Sequence, residues 1–288
     1  MYKCYLCDYE GDMKIKSNVN GRDIVECPKC KLEFIYNQPT FDEIRKIYSN
    51  EYYKSWGMES GETNEVSYMK KSTFHNMLLK ILPYKKYGNI LDIGTASGFL
   101  LEEAKKLGFE PYGVELSEYS SSIAKKKFGD DRIHNGTLET SQFDKNFFDV
   151  ITMTDLLEHV QDPVSTLKIS YELLNNTGGG GYILITVPDT SSFTHNIMKE
   201  KWTQYKLEHL FYFNKTNMEV IAKKTGFEII YMKPALKTMT IQYMRNQFNV
   251  YKLFPITQIF NLINYIPIIN NFRFNIKLGE SLVILKKV

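Results

Sequence analysis

The sequence predicts an α/β domain, a mostly parallel sheet with helices on both faces, preceded by a small cysteine-bearing appendage. Three observations lead there. From Asn89 onward, short apolar runs alternate with helix-length segments, the pattern of a parallel sheet whose ligands bind at the carboxyl ends of its strands. The stretch LDIGTASGF, Leu91 to Phe99, sets two glycines in a short polar turn directly behind the first of those runs. All four cysteines lie in the first thirty residues. With 288 residues, 43% hydrophobic and 24% charged, the chain suits one large domain plus an appendage. A formal charge of +3 is too small to imply general affinity for nucleic acid. No charged amino-terminal start is followed by an apolar run, so a cytoplasmic location is expected.

The appendage, residues 1–40, carries Cys4-x-x-Cys7 and Cys27-x-x-Cys30 with nineteen residues between the pairs, the spacing of a zinc ribbon. Each pair forms a tight knuckle that aims two thiolates at one ion, and Asn20-Gly21 reads as the hairpin turn that brings the knuckles together. Four sulfurs leave no open position for water, so a structural Zn2+ is expected, stabilising a segment too short for a good core. Two disulfides are disfavoured in the cytoplasm, and a redox pair needs only one such motif.

Residues 41–87 read as a helical linker or cap. LEFIYNQP, Leu32 to Pro39, looks like a strand leaving the ribbon. Phe41, Ile44 and Ile47 or Tyr48 then recur at helix-face spacing, and Tyr52, Tyr53 and Trp56 either line a substrate mouth or pack the ribbon onto the main domain.

The main domain is expected over 88–288. NILDI opens it, followed by a helix from about Ser97 to Leu107 that Gly108 closes. PYGVEL is the second strand, and Ser117 caps the helix running to Phe128. FFDVITM, Phe147 to Met153, is the fourth strand; Asp162 and Pro163 stand as cap and first residue of the next helix. YILITV, Tyr182 to Val187, is entered through NNTGGGG. Thr216 and Glu219 form a capping box for a helix ending near Gly226, FEIIYM is a sixth strand and SLVILKK, Ser281 to Lys287, a seventh.

A dinucleotide fingerprint needs glycines at 94, 96 and 99, where the chain has Gly94, Ala96 and Phe99, and no lysine makes the turn a P-loop. The turn is therefore not built for phosphate. Glu115, at the tip of the second strand, is placed to accept hydrogen bonds from both hydroxyls of a ribose. A nucleoside without phosphate fits best, and the cofactor of that kind is S-adenosylmethionine.

The run LDIGTASGFLLEEAKKLGFEPYGVELSE resembles the first two motifs of class I S-adenosylmethionine-dependent methyltransferases. FFDVITMTDLLEHVQDPVSTLKISYELLNNTGGGGYILITVPD resembles their fourth and fifth, so the likeness covers roughly Gly88 to Met232. It implies a Rossmann-like seven-stranded sheet. It also implies that Asp92 steers the turn or the cofactor's amino group, and that Gly94 and Gly98, with Thr95, Ala96 and Phe99 around them, allow backbone contact with the methionine portion. Glu115, beside Leu116, would hold the ribose. Gly136, Thr137 and Leu138 would flank the adenine, although the acidic residue often found there is missing. Thr154 and Asp155 would stand at the mouth of the methyl-transfer pocket.

Amine acceptors in nucleic acid are usually met by an Asn- or Asp-Pro-Pro-Tyr/Phe motif in this superfamily, and Thr154-Asp155-Leu156-Leu157 replaces it here. The ribbon-plus-methyltransferase order, with CKLEFIYNQP, resembles enzymes of polysaccharide and secondary-metabolite pathways. Sugar carbon-methyltransferases share that order but carry a further carboxyl-terminal domain that this sequence does not show. A hydroxyl of a sugar or related metabolite, nucleotide- or lipid-linked, is thus the expected acceptor, with carbon methylation second. A ribosomal-RNA methyltransferase gripping RNA through the ribbon is the reading of another class, and the ribbon's mixed charges do not support it.

Among the histidines, His159 in LLEHV is expected to order the pocket wall, His75 and His134 have no evident partner, and His195 is expected at the surface. His209 lies in KWTQYKLEHLFYFN, and a similar Glu-His-Leu segment occurs in sugar methyltransferases, in some of which the His accepts a proton. A catalytic base at His209 with Glu208 raising its basicity stands beside packing or cofactor positioning as the alternative.

Residues 234–279 read as an aromatic, basic insertion. From Ile229 to Gly279 there is no acidic residue against six basic ones and nine aromatics. Leu253 to Phe272 has no charge, but two prolines, four asparagines and a glutamine make it a poor bilayer span. It is expected as a lid, a homodimer contact, a peripheral membrane surface or a cover for the sheet edge.

Overall fold

The computed structural model of the chain describes residues 2–40, 43, 64–177, 179–244 and 273–288. The aromatic stretch containing Phe41, Ile44, Ile47, Tyr48, Tyr52, Tyr53 and Trp56 lies outside the described residues, as does the uncharged run from Leu253 to Phe272.

Five short strands build the amino-terminal module. β1 (Tyr2–Lys3) pairs with β2 (Glu10–Gly11), while β3 (Lys14–Val19), β4 (Arg22–Glu26) and β5 (Glu33–Ile35) form an antiparallel meander. Asn20 and Gly21 join β3 to β4 with φ of 51° and 81°, the two positive values that a tight primed hairpin turn needs, as their residue types predicted.

Helix α1 (Asn64–Leu78) precedes the large sheet. There follow β6 (Gly88–Ile93), α2 (Phe99–Lys106), β7 (Phe109–Glu115), α3 (Glu118–Phe128) and β8 (Ile133–Asn135). Next come β9 (Val150–Thr154), α4 (Pro163–Leu173), β10 (Tyr182–Pro188), α5 (Phe193–Met198), β11 (Phe211–Tyr212) and α6 (Lys215–Lys224). β12 (Phe227–Pro234), β13 (Lys237–Thr240), β14 (Arg273–Ile276) and β15 (Glu280–Lys287) complete the described elements.

The seven-stranded sheet runs β12-β15-β10-β9-β6-β7-β8. Five neighbours from β10 to β8 are parallel, and β15 enters antiparallel between β10 and β12. The chain builds outward from β6 through β7 to β8 and then returns to β9 on the other side, so strand order reverses between β6 and β9. Ligands bind outside the carboxyl ends of the strands at such a reversal.

Alternating residues on each strand supply the two faces. Ile90, Val150, Leu184 and Ile284 pack with Met77 and Leu78 of α1 and Leu100, Leu101 and Ala104 of α2. Leu91, Ile151, Ile183, Val283 and Leu285 pack on the other face with Leu167 of α4 and Met218 and Ile221 of α6. Strands buried on both sides need continuous apolar runs, which is what Asn89 onward shows.

Three sequence expectations shift. Helix α6 starts at Lys215 and its capping box is Asn214 with Asn217, not Thr216 with Glu219: each amide oxygen accepts from the other's backbone N–H, at 3.1 and 2.9 Å. The third strand, which the count required without assigning residues, is the three-residue β8. Part of the expected insertion is regular structure, since β13 pairs with β14.

The amino-terminal module is not a separate body in packing. β11 pairs antiparallel with β5, so the meander's sheet is completed by a strand from residue 211 onward. Leu32 and Phe34 share one buried cluster with Leu210, Phe211 and the core of the large sheet.

Candidate cofactor and acceptor site

The turn after β6 is fastened to β7. The N–H groups of Gly94 and Thr95 both donate to the carbonyl of Val114, at 2.9 and 3.0 Å. Gly94 has φ of +80° and Gly98 of +86°, and a Cβ on Gly98 would lie 2.6 Å from the Phe128 ring. Only glycine meets both demands there. Ala96 takes a left-handed φ of 46° without being glycine, strain of the kind that collects at ligand sites. Gly98 caps α2 without any side-chain hydrogen bond, so the helix opens with N–H groups that no side chain covers.

Glu115 sits at the end of β7 with a buried carboxylate. Its two oxygens accept from Ala96 N at 2.8 Å and from Ser117 N at 2.7 Å. A carboxylate oxygen can accept more than one hydrogen bond, so holding the turn does not by itself bar a ligand hydroxyl. Leu116 beside it is exposed. Gly136 N donates to the Glu115 carbonyl at 3.0 Å, which draws Thr137 and the buried Leu138 to the next strand end. The Phe99 side chain is buried, with the ammonium groups of Lys71 and Lys127 5.3 and 5.0 Å from its ring, so it serves packing.

Asp92, inside β6, accepts from Thr152 Oγ1 at 2.6 Å. Complete burial pushes its pKa up to about 7 despite that bond. The turn, Asp92, Glu115, Leu116, Thr137, Leu138, Thr154 and Asp155 therefore meet at the carboxyl ends of four adjacent strands. Glycines that allow close approach, uncapped helix N–H groups and a carboxylate at the end of the second strand suit a nucleoside bearing an amino acid, and they offer no basic cradle for phosphates. S-adenosylmethionine fits this donor set.

Asp155 follows β9 with a left-handed φ of 53°. Its carboxylate accepts from Thr186 Oγ1 at 2.8 Å and from Lys237 Nζ at 3.0 Å. Desolvation alone would raise it, but Lys237 holds it below the usual carboxylate range. Lys237 also meets the buried Glu280 at 2.7 Å, and Gln204 Nε2 donates to the same carboxylate at 3.0 Å. Lys237, Glu280 and Thr186 escaped the sequence reading, because nothing in the local pattern around them distinguishes them from strand residues.

Beyond Asp155 the chain turns through Leu156 to His159. A Cβ on Gly94 would lie 3.2 Å from Leu156 Cδ1, so this turn rests directly on the turn after β6. It is also laced to the segment after β10. Leu210 N donates to the Glu158 carbonyl at 2.7 Å, and His159 Nδ1 bonds the Glu208 carbonyl at 2.8 Å. The His159 and His209 rings meet edge to face with centroids 4.7 Å apart. Burial lowers His159 to about 4 and puts His209 well below its usual value, with His159, Lys206 and Lys237 adding to the effect on His209. Glu208 does not raise the basicity of His209. What it offers is a backbone carbonyl, and that carbonyl serves His159. The buried Glu158, which the sequence reading passed over between Asp155 and His159, is raised well above its usual value by desolvation and by Asp155.

The other histidines are placed too. His195 is buried, not at the surface as expected, because α5 turns it inward where Nε2 meets Tyr205 OH at 3.0 Å; that hydroxyl donates to Glu33 at 2.6 Å. His75 meets Glu103 at 3.3 Å, and His134 meets Thr140 Oγ1 at 2.9 Å.

The four cysteines form no disulfide. Cys4 Sγ lies 3.6 Å from Cys30 Sγ and Cys7 Sγ 3.5 Å from Cys27 Sγ, and all four lie within 4.8 Å of one another. A tetrahedron with metal–sulfur distances of about 2.3 Å has edges of about 3.8 Å, so the cluster has the size to hold one ion.

Comparison with known proteins places this geometry. Residues 47–232 match the family described as "Methyltransferase domain". A ubiquinone biosynthesis O-methyltransferase of Aromatoleum aromaticum is 31% identical over 94 residues, 31% of this chain and 40% of that protein. The mitochondrial counterpart of Schizosaccharomyces pombe is 38% identical over 81 residues, 26% of this chain and 29% of that protein. The chain thus spans well under half the length of these curated relatives. Among solved structures, a protein of Pyrococcus horikoshii superposes with a TM-score of 0.55 at 15% identity, covering 83% of this chain and 99% of that one. A SAM-dependent methyltransferase of Thermotoga maritima, described as a possible histamine N-methyltransferase, gives 0.53 at 18% identity over 85% and 98%. At such identities the likeness is one of fold. The chain belongs to the methyltransferase-domain family and has the fold of class I S-adenosylmethionine-dependent methyltransferases.

Proposed function

We propose that the chain methylates a hydroxyl group of a small molecule, a sugar or related metabolite carried on a nucleotide or a lipid, and that Cys4, Cys7, Cys27 and Cys30 hold a structural zinc ion. The observation that supports the reading is that the turn carrying Asp155, Leu156, Glu158 and His159 rests on the Gly94 turn through Leu156 and gathers Glu158, His159 and His209 close together. The O-methyltransferase names of the curated relatives support a hydroxyl acceptor.

S-adenosylmethionine supplies a methyl group activated on sulfur. The chain has to align the hydroxyl and see its proton away. Glu115 and the turn after β6 fix the cofactor, with Asp92 behind them. Neither Asp155, held ionised by Lys237, nor His209, with its lowered pKa, is a strong base. Alignment and the field of the pocket therefore carry more of the work than a base near neutrality would.

The test is transfer from methyl-labelled cofactor to a panel of nucleotide sugars, lipid-linked sugars, quinol-type phenols and RNA, with the methylated atom located by mass spectrometry. A methyl ether on a small molecule is the expected product. Label on carbon, or on RNA alone, would reject the proposal.

A further inference from the structure

We infer that Lys127, in the last turn of α3, is a positioning residue for the cofactor: its ammonium group holds the Ser97–Gly98 peptide unit in the orientation that presents the start of α2 to the amino-acid portion of S-adenosylmethionine. Lys127 Nζ donates to the Ser97 carbonyl at 2.8 Å. The N–H at the other end of the same peptide unit belongs to Gly98 and donates to the Thr95 carbonyl at 2.9 Å. The unit is thus held at both ends, once within the turn and once from a helix that follows the next strand.

Glycine is the reason an outside hold is needed. Gly98 stands at φ of +86°, and a residue without a Cβ populates either sign of φ, so nothing in its own chemistry keeps the peptide before it from turning over. The end of α3 supplies what the glycine lacks. Lys127 takes the carbonyl, and the ring of the next residue, Phe128, fills the space where a Cβ on Gly98 would stand. The beginning of α3 meets the same turn, since Glu115 accepts from both Ala96 N and Ser117 N, and Ser117 is the cap of α3. One helix therefore brackets the turn, through Glu115 at its start and through Lys127 at its end.

The ammonium group is itself held. Glu102, in the first turn of α2, meets Lys127 through Oε1 at 2.7 Å and Lys71 of α1 through Oε2 at 2.6 Å. Desolvation raises the Glu102 carboxyl, but Lys127 and Lys71 hold it below the usual carboxylate range, so it is ionised at neutral pH. The Phe99 ring, 5.0 Å from the Lys127 ammonium and 5.3 Å from that of Lys71, adds an attractive face beside both. An isolated ion pair with side chains 32% and 23% exposed would be worth little. A hydrogen bond from a charged donor to a backbone carbonyl is of the stronger kind, and losing it changes the shape of this turn.

The inference rests on the S-adenosylmethionine reading of the turn. The amino-acid carboxylate is the anionic part of that cofactor, and the N–H groups that open a helix suit an anion. Lys127 acts on that half through the backbone, while Glu115 serves the nucleoside half.

The experiment measures binding to the full-length chain by calorimetry with two ligands, S-adenosylhomocysteine, which keeps the amino-acid portion, and 5′-methylthioadenosine, which lacks it. Lys127→Met should weaken S-adenosylhomocysteine at least about tenfold and 5′-methylthioadenosine by no more than about twofold. Lys127→Arg, which keeps a charged donor, should recover the affinity to within about threefold of wild type. Lys126→Met, at the exposed neighbour, should change neither ligand. Glu102→Leu, which leaves Lys127 without its counter-charge, should show the same split at about threefold or more, and it decides the matter if Lys127→Met does not fold. Wild-type affinity in the folded variants or an equal loss of the two ligands overturns the inference. So does a loss that Lys127→Arg leaves in place, since it assigns the effect to packing. A wild-type chain that binds neither ligand removes the cofactor reading itself, and this inference with it. A chain that binds both, without the split in its variants, removes the inference alone.

Discussion

Phe211 pairs with Phe34 across two antiparallel strands, so the segment that carries His209 belongs to the same sheet as the cysteine module. The ring of Tyr5, from the first knuckle, packs edge-on against both, at 5.6 and 5.3 Å. The proposed zinc therefore does more than hold an appendage together. Bound there, it would brace the segment that carries His209.

Cys27→Ser should show this coupling. Purified wild-type chain is expected to contain close to one zinc per chain at the thiolates, and the variant close to none. Because β11 shares the module's sheet, turnover should fall by at least about tenfold and thermal unfolding should begin earlier. Cofactor affinity should stay within about threefold, since the turn after β6 is fastened to β7 and not to β5. A zinc-free variant with full turnover would show that the module is dispensable.

Glu115→Ala tests the cofactor site. The carboxylate loses its bonds to Ala96 N and Ser117 N as well as any to a ribose, so the strained turn loosens along with the contact. Charge-assisted bonds of this kind are worth about 2 kcal/mol or more, which predicts affinity for S-adenosylmethionine weaker by about thirtyfold. Calorimetry giving wild-type affinity would remove Glu115 from the site.

Much of the site's cofactor half was legible because it is local. Gly94, Gly98 and Glu115 lie within one strand-turn-helix-strand unit, where residue type, spacing and conformation constrain one another. The acceptor half was not, because its partners come together only on folding. Lys237 and Glu280 reach Asp155 from β13 and the start of β15, and neither has a sequence neighbour that betrays a buried charge. The same holds for β11: two residues are too few for a periodic signal, and its pairing with β5 spans most of the chain. Asn214 was passed over as a cap for a simpler reason, since Thr216 and Glu219 matched the familiar pattern two residues later.

Asp92 predicts a pH dependence. Its pKa rises from 3.8 to about 7 on burial. Below about pH 4 both folded and unfolded forms are protonated, and above 7 both are ionised. Between those values the unfolded chain has released a proton that the native chain keeps, so stability falls as pH rises through this window. The full shift corresponds to at most about 4 kcal/mol. Urea unfolding of Asp92→Asn, with no titrating group at that position, should show a shallower decline between pH 4 and 7. An identical pH profile would mean that Asp92 is ionised throughout.

Lys237 is the single cation that meets both Asp155 and Glu280 among the described residues, at 3.0 and 2.7 Å. Lys237→Met keeps the length and much of the apolar volume but leaves two carboxylates without a counter-charge. Glu280 is buried, and its pKa is already raised by desolvation and by Asp155, so it would take up a proton more readily still. Asp155 is about half exposed at the side chain, 48%, so solvent screens part of its loss. Breaking a buried pair typically costs about 3–5 kcal/mol, and the screened half brings the expectation to about 2–3 kcal/mol at neutral pH. The sign of the pH dependence follows from the charges. Wild-type Asp155, held below its ordinary value by Lys237, gives up its proton at the acid end of the range, and at low enough pH, where both carboxyl groups are neutral, the variant should approach wild type. Without Lys237 both carboxyl groups keep their protons to higher pH and then ionise against each other. The deficit should therefore widen with pH, and Lys237→Arg should recover part of it. Denaturant unfolding at pH 4 and 7.5 decides the matter: equal deficits at the two values would mean that Lys237 contributes packing, not charge.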